Sequence, residues 1–225
     1  MNIGKMLRMT MAASLLAFAG TSYAGICGSG TVATGILDTT DMTINTNNAT
    51  DCYGPFNSGA SNLASMQTYV NNNNLFGGGW TGVVKDDANG GTATGGTFSG
   101  IQFALSAGPA STSGSFLLTL TDTNGSAPLN LPTNFDILGV LNGGNVDAAY
   151  FFDDILLSNS NNGTYTIAFK NNGGNFPNLS HITILVREGD TPTDVPEPAP
   201  LTLFAIGLLG AALARRRNHQ GEKQA

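Results

Sequence analysis

The residues able to do chemistry in this chain are few and scattered. His181 is the only histidine before the C-terminal segment, and it opens an alternating stretch after Leu179-Ser180, where a polar first residue needs no special role. A serine hydrolase would need a nucleophile and an orienting acid around that histidine, and the sequence holds no Gly-x-Ser-x-Gly segment. A glycosidase needs two carboxyl groups flanking a cleft, and nothing marks a pair out among Asp153, Asp154 and Glu188. Active sites usually leave more concentrated traces than these, so the expectation is a protein that is not an enzyme.

Two binding chemistries are better represented. Asp86-Asp87-Ala88-Asn89 and Asp153-Asp154 offer the oxygen ligands that Ca²⁺ takes, though neither matches a full calcium loop. The first pair sits beside Asn89-Gly90, so a solvated turn is the simpler reading, and no cofactor is otherwise called for. Trp80, the only tryptophan, follows three glycines and precedes the strand-like Thr81 to Lys85. It suits either a platform for a sugar ring or, more commonly, an anchor in a core.

The elements that must position these residues read as strands and turns. Ser115 to Asp122 puts Phe116, Leu118 and Leu120 on one face; Thr164 to Lys170 does so with Tyr165, Ile167 and Phe169, and His181 to Arg187 with Ile182, Ile184 and Val186. These period-two patterns, rich in threonine and aromatics, predict half-buried antiparallel strands. Thr97 to Leu105 reads as one strand carrying a bulge at Gly100. Five Asn-Gly pairs, beginning at Asn89, Asn124, Asn142, Asn162 and Asn172, predict turns with positive φ. The best helical candidate, Ala60 to Val70, is short. The fold class is therefore all-β: eight or so strands in an antiparallel, jelly-roll-like β-sandwich over residues 25–190.

The two ends differ from this body. Lys5 and Arg8 precede the apolar Met9 to Ala19, and small residues at Ser22 and Ala24 complete the pattern of a secretory signal peptide, 1–24. Cys27 and Cys52, the only cysteines, read in an exported chain as one disulfide, worth about 3 kcal/mol through the unfolded state. From Gly25 to Pro200 the chain has three basic residues, Lys85, Lys170 and Arg187, against fourteen acidic ones, a net charge of about −11. A nucleic-acid partner is excluded by that balance, since phosphate binding needs clustered Lys and Arg.

At the C-terminus a Pro-rich linker, 191–200, leads into an apolar run, Leu201 to Ala214, followed by Arg215, Arg216 and Arg217 and a cytoplasmic tail, 218–225. As a helix that run is about 21 Å long against a hydrocarbon core of about 30 Å, too short for a comfortable permanent span. The arginines would hold the tail on the cytoplasmic side and leave the body outside, so contact with the inner membrane is transient. Val195, Pro196, Glu197 and Pro198, the short apolar helix and the arginine cluster, 195–217 in all, resemble the PEP-CTERM sorting signal of Gram-negative bacteria. The resemblance implies processing by exosortase, a multi-spanning membrane enzyme of exopolysaccharide producers, with the chain as substrate and the reacting groups on the partner. Trp80 to Asp87, Ala148 to Ser158 and Gly163 to Arg187 also resemble the ectodomains such proteins carry, which implies a β-sandwich without an assigned ligand. The expectation is an exported surface or matrix protein associated with exopolysaccharide or biofilm. A secreted carbohydrate-binding module using Trp80, Asp86 and Asp87 is the alternative, and a polysaccharide hydrolase a more distant one.

Overall fold

The fold is described from a computed structural model, which covers residues 27–29, 35–125 and 130–189. The expected signal peptide (1–24), linker (191–200), sorting segment (195–217) and tail (218–225) lie outside the described residues. No helix among the described residues is long and apolar enough to cross a membrane.

In chain order the strands are β1 (Gly28–Ser29), β2 (Met42–Ile44), β3 (Asn47–Asn48), β4 (Asp51–Phe56), β5 (Thr81–Asp87) and β6 (Thr92–Phe98). There follow β7 (Ile101–Ser106), β8 (Ser113–Asp122), β9 (Thr133–Gly143), β10 (Val146–Leu157), β11 (Ser160–Thr166) and β12 (His181–Glu188). One α-helix, α1 (Leu63–Asn72), lies between β4 and β5. The strands form two six-stranded sheets, ordered β1-β4-β10-β9-β12-β5 and β3-β2-β11-β8-β7-β6. Pairing is antiparallel throughout except for the short β1, which runs parallel to β4. A disulfide joins Cys27, just ahead of β1, to Cys52 in β4.

The sheets pack face to face, and the main core collects Phe103, Leu105, Phe116, Leu118 and Tyr165 from the second with Leu141, Tyr150, Ile182 and Ile184 from the first. The second sheet keeps the alternation expected of a sheet with one wet face: β7 and β11 bury every other residue. Within it the Phe116 ring lies over Gly163, its cross-strand partner, where any Cβ would collide with the ring. The first sheet is different. Residues 135–143 of β9 and 182–186 of β12 are buried without interruption, because α1 covers the outer face and makes a second core of Phe56, Met66, Val70, Trp80, Leu138, Val140 and Leu185. The protein is thus a β-sandwich with a helix laid on one side.

Several local expectations are corrected. Thr97 to Leu105 is two strands, not one bulged strand: Phe98 pairs with Ile101, and Ser99-Gly100 is a two-residue turn with φ of 46° and 74°, the geometry that matches strand twist in a tight hairpin. Asn142-Gly143 and Asn162-Gly163 lie inside β9 and β11; the turn after the first pair is Gly144-Asn145, with φ of 58° and 65°. An Asn-Gly pair favours positive φ only where the ladder releases it, and here cross-strand pairing continues through both. The helix begins at Leu63 rather than Ala60, because Asn62 caps it and Ser65 completes a reciprocal capping box.

Candidate functional site

Polar side chains gather at both ends of the first sheet, and the two gatherings are built differently. At the end where β12 finishes, Arg187 donates from Nε to Asp136 Oδ2 at 2.7 Å and from Nη1 to the carbonyls of Phe76 and Gly78 at 2.8 and 3.1 Å. Its guanidinium lies 4.4 Å from the Trp80 ring centre and 5.4 Å from that of Phe151, both within the usual cation–π reach of about 6 Å. Asp136 also accepts from the Asp154 backbone N–H through Oδ1 at 2.9 Å. Trp80 donates from its indole N–H to Leu75 O at 2.8 Å, and its backbone is clasped on both sides by the Asn71 amide. Arg187, Asp136 and Trp80 are all committed to the fold.

This arrangement decides two of the expected binding residues. Trp80 is 1 % exposed, so no ring face is open to a sugar; it anchors the helix-side core. Asp86 is not part of a solvated turn: it lies in β5, buried, and accepts from the Ala107 N–H at 2.7 Å. Asp87, next along, is exposed and paired with Lys85. Asp153 and Asp154 form a bulge in β10, with Asp154 at φ 47°. Among the described residues no group of three or more His, Cys, Asp or Glu is placed to hold a metal ion.

At the opposite end, where β12 begins, one cross-strand row runs Phe56, Asp147, Asn142, His181, Asp87 across β4, β10, β9, β12 and β5. Side chains at one register position share a face, and this face is the one that, further along, packs against α1 through Val140, Ala149 and Leu185. The helix covers the Phe56 end of the row, where Tyr69 stacks on that ring, and leaves the stretch from Asp147 to Asp87 outside its cover. The segment 57–61, the Gly144-Asn145 turn and Ser180 wall the space, leaving a cleft of about 670 Å³, inside the range of about 300–1,000 Å³ typical of small-molecule sites.

The floor of the cleft is rigid. Asp147, 1 % exposed, accepts through Oδ2 from the Ser58 N–H at 3.1 Å and the Ser58 hydroxyl at 2.6 Å, and through Oδ1 from the Asn142 amide at 2.8 Å. Three donors compensate the burial of its charge. The Ser58 oxygen in turn accepts from the Ala60 N–H at 3.0 Å, which fixes the wall leading to the helix. His181 is half-buried, and among the described residues its imidazole forms no hydrogen bond. Burial pushes its pKa below 6.5, with Lys85 adding to the effect and Asp147 and Asp87 opposing it. The Asp87 carboxyl is held below its ordinary range by the hydrogen bond from Lys85.

Of the cleft's lining the sequence singled out Asp87 as a ligand contact and weighed His181, but drew no binding role for Ser58, Asn142, Asn145 or Asp147. Ser58 comes from one stretch and Asn142, Asn145 and Asp147 from the β9–β10 hairpin, with no motif in either, and the fold brings the two together with His181 and Asp87. One signal was available: Asp147 interrupts an apolar strand, where an unpaired carboxylate would be costly.

The comparisons with known proteins concern the other part of the chain. A family model, the PEP-CTERM protein-sorting motif, matches residues 194–217. No curated protein and no solved structure matches the chain.

Proposed function

We propose that this chain is a non-enzymatic surface or extracellular-matrix protein of an exopolysaccharide-producing cell, whose sandwich is delivered by its own C-terminal signal. The observation that carries the reading is the PEP-CTERM motif at 194–217, by which the chain is an exosortase-sorted, exported protein. The order of parts supports the finer statement. The described body ends at Gly189, and from there to Pro196 an extended chain reaches at most about 25 Å. The processing enzyme therefore meets Pro196-Glu197-Pro198 close beneath a folded sandwich, with Arg215 to Arg217 on the far side of the membrane. The signal peptide at 1–24 supplies entry to the secretory route, and the Cys27–Cys52 disulfide suits the oxidising space beyond it.

The association with exopolysaccharide or biofilm is part of the proposal and rests on the resemblance of the tail, together with a composition low in charged residues and rich in Asn, Ser and Thr. Intact-mass measurement of the mature protein from cells with and without the sorting enzyme tests the core of it. A C-terminus shortened near Pro196 to Pro198 only when the enzyme is present is the expected result. A C-terminus that stays intact in both strains would sink the reading.

A further inference from the structure

We propose that the cleft at the His181 end of the first sheet is a binding site for a short, neutral, polyhydroxylated ligand: one or two units of a saccharide. The chemistry of the lining selects the class. Asn57, Asn142 and Asn145 present amides and Ser61 and Ser180 hydroxyls, while Ala60 is the lone apolar contributor beyond backbone. A ligand entering this space exchanges hydrogen bonds rather than burying apolar surface, which favours one that carries a donor and acceptor on nearly every carbon.

The charges present are already satisfied. Lys85 is paired with Asp87, and the Asp147 carboxylate is consumed by Ser58 and Asn142. An anionic ligand would meet a lining in which Asp87 and Asp147 outnumber Lys85 and no cation is free, whereas a neutral one needs no counter-charge. The His181 imidazole, kept neutral near pH 7 by its burial, is the group best supplied to act as both donor and acceptor toward a hydroxyl. The pinned Asp147–Ser58–Asn142 floor means that little side-chain freedom is lost on binding.

β12 runs from His181 at the cleft to Glu188, so the cleft and the last described residue, Gly189, lie at opposite ends of the sheet, about 24 Å apart along the strand.

Saturation-transfer NMR on the full-length chain, in a detergent without a sugar headgroup, tests the site. The probes are a panel of neutral hexoses, pentoses and disaccharides, with one amino sugar and one uronic acid. Transfer to at least one neutral sugar is expected, weakened about tenfold by His181→Ala and abolished by Ser61→Trp, an exposed position where a bulky ring closes the entrance; thermal melts establish that both variants fold. Repeating the measurement with a polymer ending in the same sugar tells a free ligand from a polymer end, and either supports the site. The proposal is overturned if no neutral sugar receives transfer, if only the charged sugars do, or if neither substitution changes it. Because the mature C-terminus is read separately by mass, failure of the cleft and failure of the sorting reading are distinguishable.

Discussion

The two ends of the first sheet use the same kinds of side chain for opposite purposes. At the Glu188 end, Arg187, Asp136 and Trp80 are bound to one another, to backbone groups and to the Asn71 amide, under aromatic cover. At the His181 end, Asp147, Asn142 and Ser58 satisfy one another below, while His181, Asn145 and Ser180 face an open cleft. The difference is what lies over the sheet: α1 and residues 75–80 cover the strands beyond His181, and both leave the stretch of the row from Asp147 to Asp87 open. Polar groups sealed in an interior stiffen it; the same groups left with one open side are available to a ligand.

The largest expected effect lies at the sealed end. Arg187→Met strands the buried Asp136 carboxylate and removes the cation over Trp80, so chemical denaturation should show a loss of about 3 kcal/mol. Adding Asp136→Asn should return part of it, because the stranded charge goes; a double variant no better than the single would show that packing, not charge, dominates there. At the cleft end, Ser58→Ala takes one of three donors from Asp147 and should cost about 1–2 kcal/mol in the same assay. An equal or larger loss than at Arg187 would erase the contrast between the ends.

Acid titration sharpens the comparison further, with two groups of opposite sign. Asp41, next to the buried Tyr150 hydroxyl, has its pKa raised from 3.8 to about 6, first by burial. A carboxyl raised in the fold stabilises it below 3.8 and loses that contribution as pH rises through about 6. Asp41→Asn should therefore be the more stable protein at pH 7, by roughly 1 kcal/mol after allowing for screening at a half-exposed site, and should lose that advantage near pH 4. His181 is depressed, so its contribution is present above 6.5 and declines as pH falls through its folded value; melting curves of His181→Gln should lack that part of the acid loss. Smallest of all, Lys85→Ala should leave the melting temperature within the equivalent of about 0.5 kcal/mol, because its partner Asp87 is largely exposed.

Much of the second sheet was legible in the residues. Phe116, Leu118 and Leu120 in β8, and Tyr165 with Ile167 and Phe169 along and beyond β11, alternate because that sheet has one wet face, and period-two patterning reports such a face directly. The first sheet was harder. In β12 the expected face of Ile182, Ile184 and Val186 is buried, but so are Thr183 and Leu185 on the other, and a strand buried on both sides has no alternation to read. Ser99-Gly100 illustrates the same limit locally, since a bulge and a hairpin turn need similar residues and differ only in what pairs on either side.

By itself the sequence determined the address and the kind of fold. A sorting motif is contiguous, so its prolines, apolar run and arginines are recognisable in order, and alternation with turn residues marks a sandwich without reference to partners. Tertiary structure alone decided where α1 and residues 75–80 lie, which polar residues they cover, and that His181 and Asp87 join the Asn142–Asp147 hairpin in one row. The physical reason is that register between strands distant in sequence is set by core packing across the whole sheet, and no local stretch contains it.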